Sequence, residues 1–389
     1  MTQSNCVESF LSIIRLGIGH SSVVLPNHVD WPSVKTIADE QGLLGVMIDG
    51  IECKPESLHL PKETLLEWIG EVLQNYEYRY ELYRRAIADM AGFYKEHSFK
   101  MMVLKGYACG LNWPKPEHRP CGDIDIWLFG QQKEADTALE QEKCIKIDNS
   151  QHHHTVFCWH DFMVENHYDF INVIHHQSHI ELEAIFKELG NDDTHFVELY
   201  GEKIYVPSPN LHALFLIKHL SLHFASEVIT IRQLLDWAFF VEKHTKEVDW
   251  AWLLGVLDQY RMVDVFNLFN AICVEDLGFA SNIFPTVQFN PMLKERILKD
   301  IFNPEFSGQK PTGKINRAIF RFRRWRANGW TLLRRCAQEA SESTSVWVTL
   351  SDLSLYNTSA SRLQDRNAAH PHGGFAAVRR NGFLPGLEA

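Results

Sequence analysis

Several features are missing from this 389-residue sequence, and each absence removes a class of protein. No Cys-x-x-Cys pair occurs among its eight cysteines, so neither a zinc ribbon nor a thioredoxin-like redox motif is written in it. In a chain this long, scattered cysteines read as free thiols in a reducing compartment. No stretch approaches the roughly 20 apolar residues that span a bilayer. The richest run, 211–222, contains Lys218 and His219 and reads as a core helix. A basic segment followed by an apolar one is absent from the N-terminus, so no secretory leader is expected. Together these signals place the protein in the cytoplasm. Excess positive charge is missing too: 38 Lys and Arg against 49 Asp and Glu give a net charge of −11. Gripping nucleic acid needs a broad basic footprint, so a nucleic-acid partner is not expected. No internal repeat is found.

What is present is an ordinary globular composition, 45% hydrophobic and 22% charged. At about 150 residues per domain, the length suits two to three domains. Residues 1–98 carry helical apolar spacing, with Pro61 and Glu63 opening a long helix that continues through Tyr80, Ile87 and Phe93. Near residue 99 the pattern changes. Runs at 100–104 and 123–128 suit buried strands, 134–142 a helix, and 143–147 alternates. Residues 155–159 and 163–168 flank Asp161-Phe162 as a β-hairpin, although its turn lacks the usual glycine. From Ser208 helices return at 211–224, 229–242, 250–260, 263–277 and 317–339. The expectation is an α+β chain, predominantly helical: an N-terminal helical region at 1–98, a central mixed-sheet domain at 99–207, a C-terminal helical domain at 208–340, and a tail at 341–389. The tail contains no Lys and is rich in Ser, Gly and Ala, so it reads as disordered or atypical.

The chemistry concentrates in Leu104-Lys105-Gly106 and in Arg119-Pro120-Cys121-Gly122-Asp123-Ile124-Asp125-Ile126. Asp123 and Asp125 stand two apart on an expected strand, so both side chains share a face. Adjacent carboxylates repel, and a divalent cation relieves the repulsion. Mg²⁺ takes hard oxygen ligands and keeps positions open for substrate phosphates. Gly106 ends the preceding strand without a Cβ, and a helix starting there would offer amides to an anion. Lys105 and Arg119 flank the pair with positive charge.

The run LKG…WPKPEHRPCGDIDIWL resembles the signature of the DNA polymerase beta-type nucleotidyltransferase superfamily, most closely a branch of uncharacterised bacterial nucleotidyltransferases. The likeness covers about residues 8–335. It implies a nucleotidyltransferase-type sheet domain and two Mg²⁺ ions, with Mn²⁺ as the alternative, held by Asp123, Asp125 and a third carboxylate. Met163-Val164-Glu165-Asn166-His167 matches the branch's third-carboxylate strand. Glu165 is therefore the expected third ligand, with Glu181 or Glu183 as competitors. By the same resemblance Lys105, Gly106, Arg119, Gly122 and His167 surround the nucleotide, while His219, His223 and Asp236 are candidates on the acceptor side or in support. Tyr107 departs from the pattern, standing where the superfamily often has Ser or Gly, which puts a hydroxyl contact to the terminal phosphates in question.

The expected activity is transfer of a nucleoside monophosphate from an NTP to a hydroxyl or phosphate acceptor, with release of pyrophosphate. The alternatives are a non-catalytic nucleotide- or partner-binding module on the same fold and a metal-dependent glycosyltransferase. The latter wants a nucleotide-binding α/β domain where the chain opens with helices. The 20 histidines cluster but do not spell a zinc site. Strand alternation puts His152 and His154 on one face and His153 on the other, so at least one points away from any common site. His175, His176 and His179 read as loop residues. His219 and His223 are four apart on a helix, without the Glu that zinc proteases place between them. The histidines therefore read as core or surface residues, with His167, His219 and His223 near the site. Finally, 310–335 carries nine Lys or Arg and no acid, which suits a solvated helix or a peripheral contact with an anionic membrane.

Overall fold

Helix signals in the first hundred residues produce helices. In a computed structural model the chain is described over residues 3–303, apart from 21–22, 174–176, 227–228 and 288–289. All of these lie within one compact unit, Met1–Lys310. The helices are α1 (Gln3–Gly17), α2 (Trp31–Gln41), α3 (Leu44–Cys53), α4 (Pro55–Leu58), α5 (Lys62–Val72) and α6 (Tyr78–Glu96). Asp30 caps α2 by accepting the Ser33 N–H, and Gly42 ends it in the left-handed region at φ 65°. The long helix expected from residue 61 onward is present: α5 and α6 run on without a break through a π-turn, Leu73–Glu77. The extra residue in that turn rotates α6 so that Tyr83, Ile87 and Met90 are buried.

The central segment supplies β1 (Met102–Val103), α7 (Lys105–Gly110), β2 (Ile124–Trp127), α8 (Gln132–Lys143), β3 (His154–Trp159), β4 (Phe162–His167), α9 (Gln177–Gly190), β5 (Phe196–Leu199) and β6 (Glu202–Tyr205). The strands form one mixed sheet in the order β3-β4-β2-β1-β6-β5. Residues 143–147 form no strand, and only Asp148 bridges to Val156. The β3–β4 hairpin turns without glycine because His160 takes φ 51° itself. Neither the β5–β6 hairpin nor α9 was expected from the sequence, and α9 carries His179 rather than leaving it in a loop. Then follow α10 (Pro209–Ser226), α11 (Ile231–His244), α12 (Trp250–Gln259), α13 (Val263–Glu275) and α14 (Pro291–Phe302).

Two apolar clusters sandwich the sheet. One joins α6 and α8 to the face of Val103, Ile124, Ile126, Phe157 and Val164. The other joins the remaining helices to the opposite face through Met102, Trp127, Phe170, Phe186 and Phe215. The expected α+β class with helices around a mixed sheet is what the chain adopts. Seven cysteines lie among the described residues and all are free thiols. No described helix is long and apolar enough to cross a membrane. His175, His176, the basic stretch 310–335, the helix at 317–339 and the tail at 341–389 fall outside the described residues.

A buried ion cluster ties the helical arm to the loop before β2. His118 meets Asp49 Oδ2 at 2.7 Å and Glu77 Oε1 at 3.2 Å, and Lys115 also pairs with Asp49. Burial opposes the His118 charge, but Asp49 overrides it and raises the pKa above 6.5. The contribution is thus fully present below pH 6.5 and is lost as pH rises through the raised value. Urea denaturation of wild type and His118→Gln should show a stability gap that shrinks as pH is raised above neutrality. A gap independent of pH would contradict the charged pairing.

Candidate active site

Sheet register assembles the site. β2 pairs in parallel with β4, placing Asp125 opposite Glu165 and Trp127 opposite His167. Alternation then turns Asp125, Glu165 and His167 to one face and Ile124, Ile126 and Val164 to the apolar other. β3 pairs antiparallel with β4 and sets His154 opposite His167 on the same face. Because β1 runs antiparallel to β2, its end returns Lys105 to this point, and the Leu104 N–H donates to the Asp125 carbonyl at 2.9 Å.

The contacts are short. Lys105 Nζ lies 2.7 Å from Asp125 Oδ1, and His167 Nε2 lies 3.0 Å from the same oxygen. The other ring nitrogen of His167 is 3.2 Å from the Asp169 carbonyl. Glu165 approaches His167 Nε2 and His154 Nε2, each at 3.7 Å. Donor atoms of Asp125, Glu165 and His167 all lie within 4.8 Å of one another. Asp123 stands outside that group, although its charge acts on both Asp125 and Glu165. Lys105 holds φ 27°, a strained left-handed value for a residue with a Cβ, costing about 1–3 kcal/mol.

Charge is unevenly held here. Burial resists ionisation of Asp125, but the Lys105 ammonium and the His167 hydrogen bond hold its carboxyl well below the usual range. Burial, then the Asp125 charge, push Glu165 up to about 8. The same two causes raise Asp123. For Lys105, burial is outweighed by Asp125 and Glu165, so the ammonium is held above its ordinary pKa. One ionised carboxylate beside one whose ionisation is resisted is a site short of positive charge.

Gly106 is explained by its neighbour. Tyr83 donates its hydroxyl to the Asp123 carbonyl at 2.9 Å, and a Cβ on Gly106 would meet that hydroxyl at 2.9 Å. Gly122 is exposed, with nothing within 4 Å of an added Cβ. Tyr107 is buried in the α6-side cluster, with the Arg84 guanidinium near its hydroxyl, so it does not join the carboxylates.

Arg119 does not face the carboxylates openly. It grips Asp236 on α11 bidentately, Nε to Oδ1 at 2.7 Å and Nη2 to Oδ2 at 2.9 Å, and Trp113 donates to the same Oδ1 at 2.8 Å. Beside this brace lies Arg232, whose buried Nε has no hydrogen-bond partner among the described residues. Burial and the Arg119 charge lower its pKa. One carboxylate therefore serves two guanidiniums. Asp236→Ala should cost about 3–5 kcal/mol of stability, because it strands buried charge. Thermal unfolding checks this, and an unchanged melting temperature would contradict the brace.

α10 covers the site face. Phe215 lies 5.6 Å below the Lys105 ammonium, and His219 stacks edge-on with His223 at 4.2 Å. Burial, then Lys105, keep His219 well below the usual imidazole range. Glu181 is exposed on α9, and Glu183 accepts the Phe170 and Ile171 N–H groups, so neither competitor reaches Asp125 as Glu165 does.

Three features are given no role at the site by the sequence. Asp136 on α8 accepts from Thr155 and Asn166 at 2.8 Å each and pins both hairpin strands beneath the site. Its signal was an acid on the buried face of α8, beside Ala135 and Leu139. Arg232 opens the α11 pattern as an isolated cation. His153 also joins the cluster. β3 begins only at His154, so His153 is exempt from strand alternation and comes to the same side, leaving His152 exposed.

The family described as uncharacterised nucleotidyltransferase matches over residues 27–277. No curated protein matches. Among solved structures, the antibiotic-resistance factor ANT(2'')-Ia is 11% identical at a TM-score of 0.33, covering 46% of this chain and 92% of its own. An antigenic nucleotidyltransferase-like protein from Paracoccidioides brasiliensis is 14% identical at 0.32, covering 46% and 88%.

Proposed function

The chain belongs to the uncharacterised nucleotidyltransferases, and from that premise we propose that it moves a nucleoside monophosphate from an NTP to a hydroxyl or phosphate acceptor, releasing pyrophosphate. The observation that carries this reading is the in-register pair Asp125 and Glu165, joined by His167 within 4.8 Å. Two carboxylates and an imidazole form an oxygen-rich donor set that fits a divalent ion of the Mg²⁺ or Mn²⁺ class. Asp123, just before β2, adds its charge to the set without joining the three converging donors. A bound ion would offset phosphate charge and lower the pKa of the acceptor hydroxyl, and the family pattern suits two ions.

The chain's own groups divide the remaining work. Lys105 is the cation within reach of the NTP phosphates once a metal takes over Asp125. His167 orients the Asp125 carboxylate through its 3.0 Å contact. Gly106 leaves Tyr83 room to hold the strand end of Asp123, and the open backbone at Gly122 suits approach of the nucleotide. Arg119 holds α11 against this loop through Asp236, so its influence on phosphate comes through position and field. His219 and His223, on the helix over the site, are placed for the acceptor. In the reaction the acceptor oxygen would bond to the α-phosphorus as its proton passes to solvent, the bond from the α-phosphorus to the oxygen bridging the β-phosphate would break, and pyrophosphate would leave with that oxygen.

A further division follows the chain: helical arm 1–98, catalytic sheet 99–207 and an acceptor-side domain 208–340, a reading supported among the described residues by the change in element type near residues 99 and 208. The function is tested by incubating the protein with each of the four NTPs, Mg²⁺ and a metabolite and protein extract. Mass spectrometry should find a component gaining one nucleoside monophosphate, and the gain should vanish in Asp123→Ala/Asp125→Ala. A gain that persists in the double variant, or transfer only from a nucleotide-sugar, would overturn the reading.

A further inference from the structure

Beside the carboxylates lies a second cluster, of which the proposed reaction uses only His167. Donor atoms of His153, His154 and His167 also lie within 4.8 Å of one another. The ring centroids are 4.3 Å apart for His153 and His154, 5.6 Å for His153 and His167, and 5.2 Å for His154 and His167. His154 and His167 are directly opposed across the hairpin. His153 is fixed by its own carbonyl, which accepts the Tyr168 and Asp169 N–H groups at 3.1 Å each. The cluster is thus built by backbone pairing rather than by chance contact of flexible side chains.

Two nitrogens in it are conspicuous. Nδ1 of His153 and Nδ1 of His154 are buried and have no hydrogen-bond partner among the described residues. His154 itself is only 7% exposed. A buried polar atom without a partner keeps the full cost of its lost hydration, so ordinary core histidines avoid this state. His167 shows the opposite arrangement: its Nδ1 faces the Asp169 carbonyl, the outer hydrogen bond by which ligating histidines are oriented. Glu165 stands 3.7 Å from both His154 Nε2 and His167 Nε2 and can add an oxygen.

We propose that His153, His154 and His167, with Glu165, form a binding site for a borderline divalent transition metal of the Zn²⁺ or Co²⁺ class, adjoining the oxygen-rich position at Asp125 and sharing His167 and Glu165 with it. The ligand chemistry sets the preference. Three imidazoles and one carboxylate suit four-coordinate Zn²⁺, whereas Mg²⁺ demands oxygen and an octahedral shell. His167 and Glu165 belong to both groups, so occupancy of one site changes affinity at the other.

Cobalt is the probe, because its visible spectrum reports coordination. Metal-stripped full-length protein is titrated with Co²⁺, and in parallel with Mn²⁺ monitored by the magnetic-resonance signal of the free ion. Wild type should bind Co²⁺ with the intense ligand-field bands of a four-coordinate, nitrogen-rich site. His153→Gln/His154→Gln should lose those bands and about 100-fold or more in Co²⁺ affinity, while Mn²⁺ binding stays within about threefold, the precision of such titrations. His152→Gln, altering the exposed neighbour, should leave both unchanged, and far-ultraviolet circular dichroism should report an intact fold throughout. The proposal is overturned if the double variant keeps the Co²⁺ bands, or if wild type shows only weak six-coordinate bands. Equal loss of Mn²⁺ and Co²⁺ binding in a folded double variant also overturns it, since that describes one site instead of two. Loss of nucleotidyl transfer alone leaves these readouts untouched, so this test stands apart from the test of the reaction.

Discussion

Asp125→Asn should lower nucleotidyl transfer by about 10³- to 10⁴-fold, the loss typical of removing a group that acts as part of a catalytic unit. The reason lies in what Asp125 collects. It is almost fully buried, ionised, and contacted at one oxygen by both Lys105 and His167. Asparagine keeps the shape and one oxygen but removes the charge that a divalent ion requires. It also leaves the part-buried Lys105 ammonium with only its weaker neighbours, so a lower melting temperature accompanies the activity loss. Measuring kcat/KM on protein shown folded by circular dichroism separates the two effects. Transfer within tenfold of wild type would remove Asp125 from the reaction.

Glu165→Gln should lose transfer to a similar degree, about 10³-fold, but with the opposite sign on stability when metal is chelated. Burial and the Asp125 charge raise the Glu165 carboxyl from 4.5 to about 8. A carboxyl whose folded pKa lies above its unfolded one destabilises the fold as it ionises. The penalty is absent below pH 4.5, grows as pH rises toward about 8, and is complete above that. Glutamine never ionises. In a chelator, Glu165→Gln should melt several degrees above wild type at alkaline pH and converge with it in acid. Added Mg²⁺ or Mn²⁺ should raise the melting temperature of wild type and not of the variant. A variant less stable than wild type at every pH would mean that Glu165 is a structural group.

Much of this site could be read from the chain. Asp123 and Asp125 declare a shared face by their spacing alone, and Glu165 and His167 do the same on the hairpin. What spacing cannot supply is register. That Asp125 meets Glu165 is settled by the parallel pairing of β2 with β4, which the intervening α8 and β3 make possible. Arg119 and Asp236 are 117 residues apart, so a flanking cation that reads as a phosphate contact is instead tied to a distant helix. The histidines differ from their alternation pattern for a local reason. His152 points away as expected of at least one of them, but strand geometry starts only at His154, and His153, outside the strand, owes nothing to its period. The long helix after Pro61 is legible in its apolar spacing, but the π-turn inside it, which adds one residue and shifts the phase, is not. The β5–β6 hairpin was silent because β5 is largely exposed and carries little alternation.

The central claim is that Asp125 and Glu165 hold a divalent ion that brings an NTP to the sheet. Calorimetric titration of ATP into full-length protein, with Mg²⁺ and with a chelator, addresses it most directly. The expected result is binding that requires Mg²⁺ in wild type and disappears in Asp125→Asn. Binding of equal strength without Mg²⁺, or retained in Asp125→Asn, would contradict it.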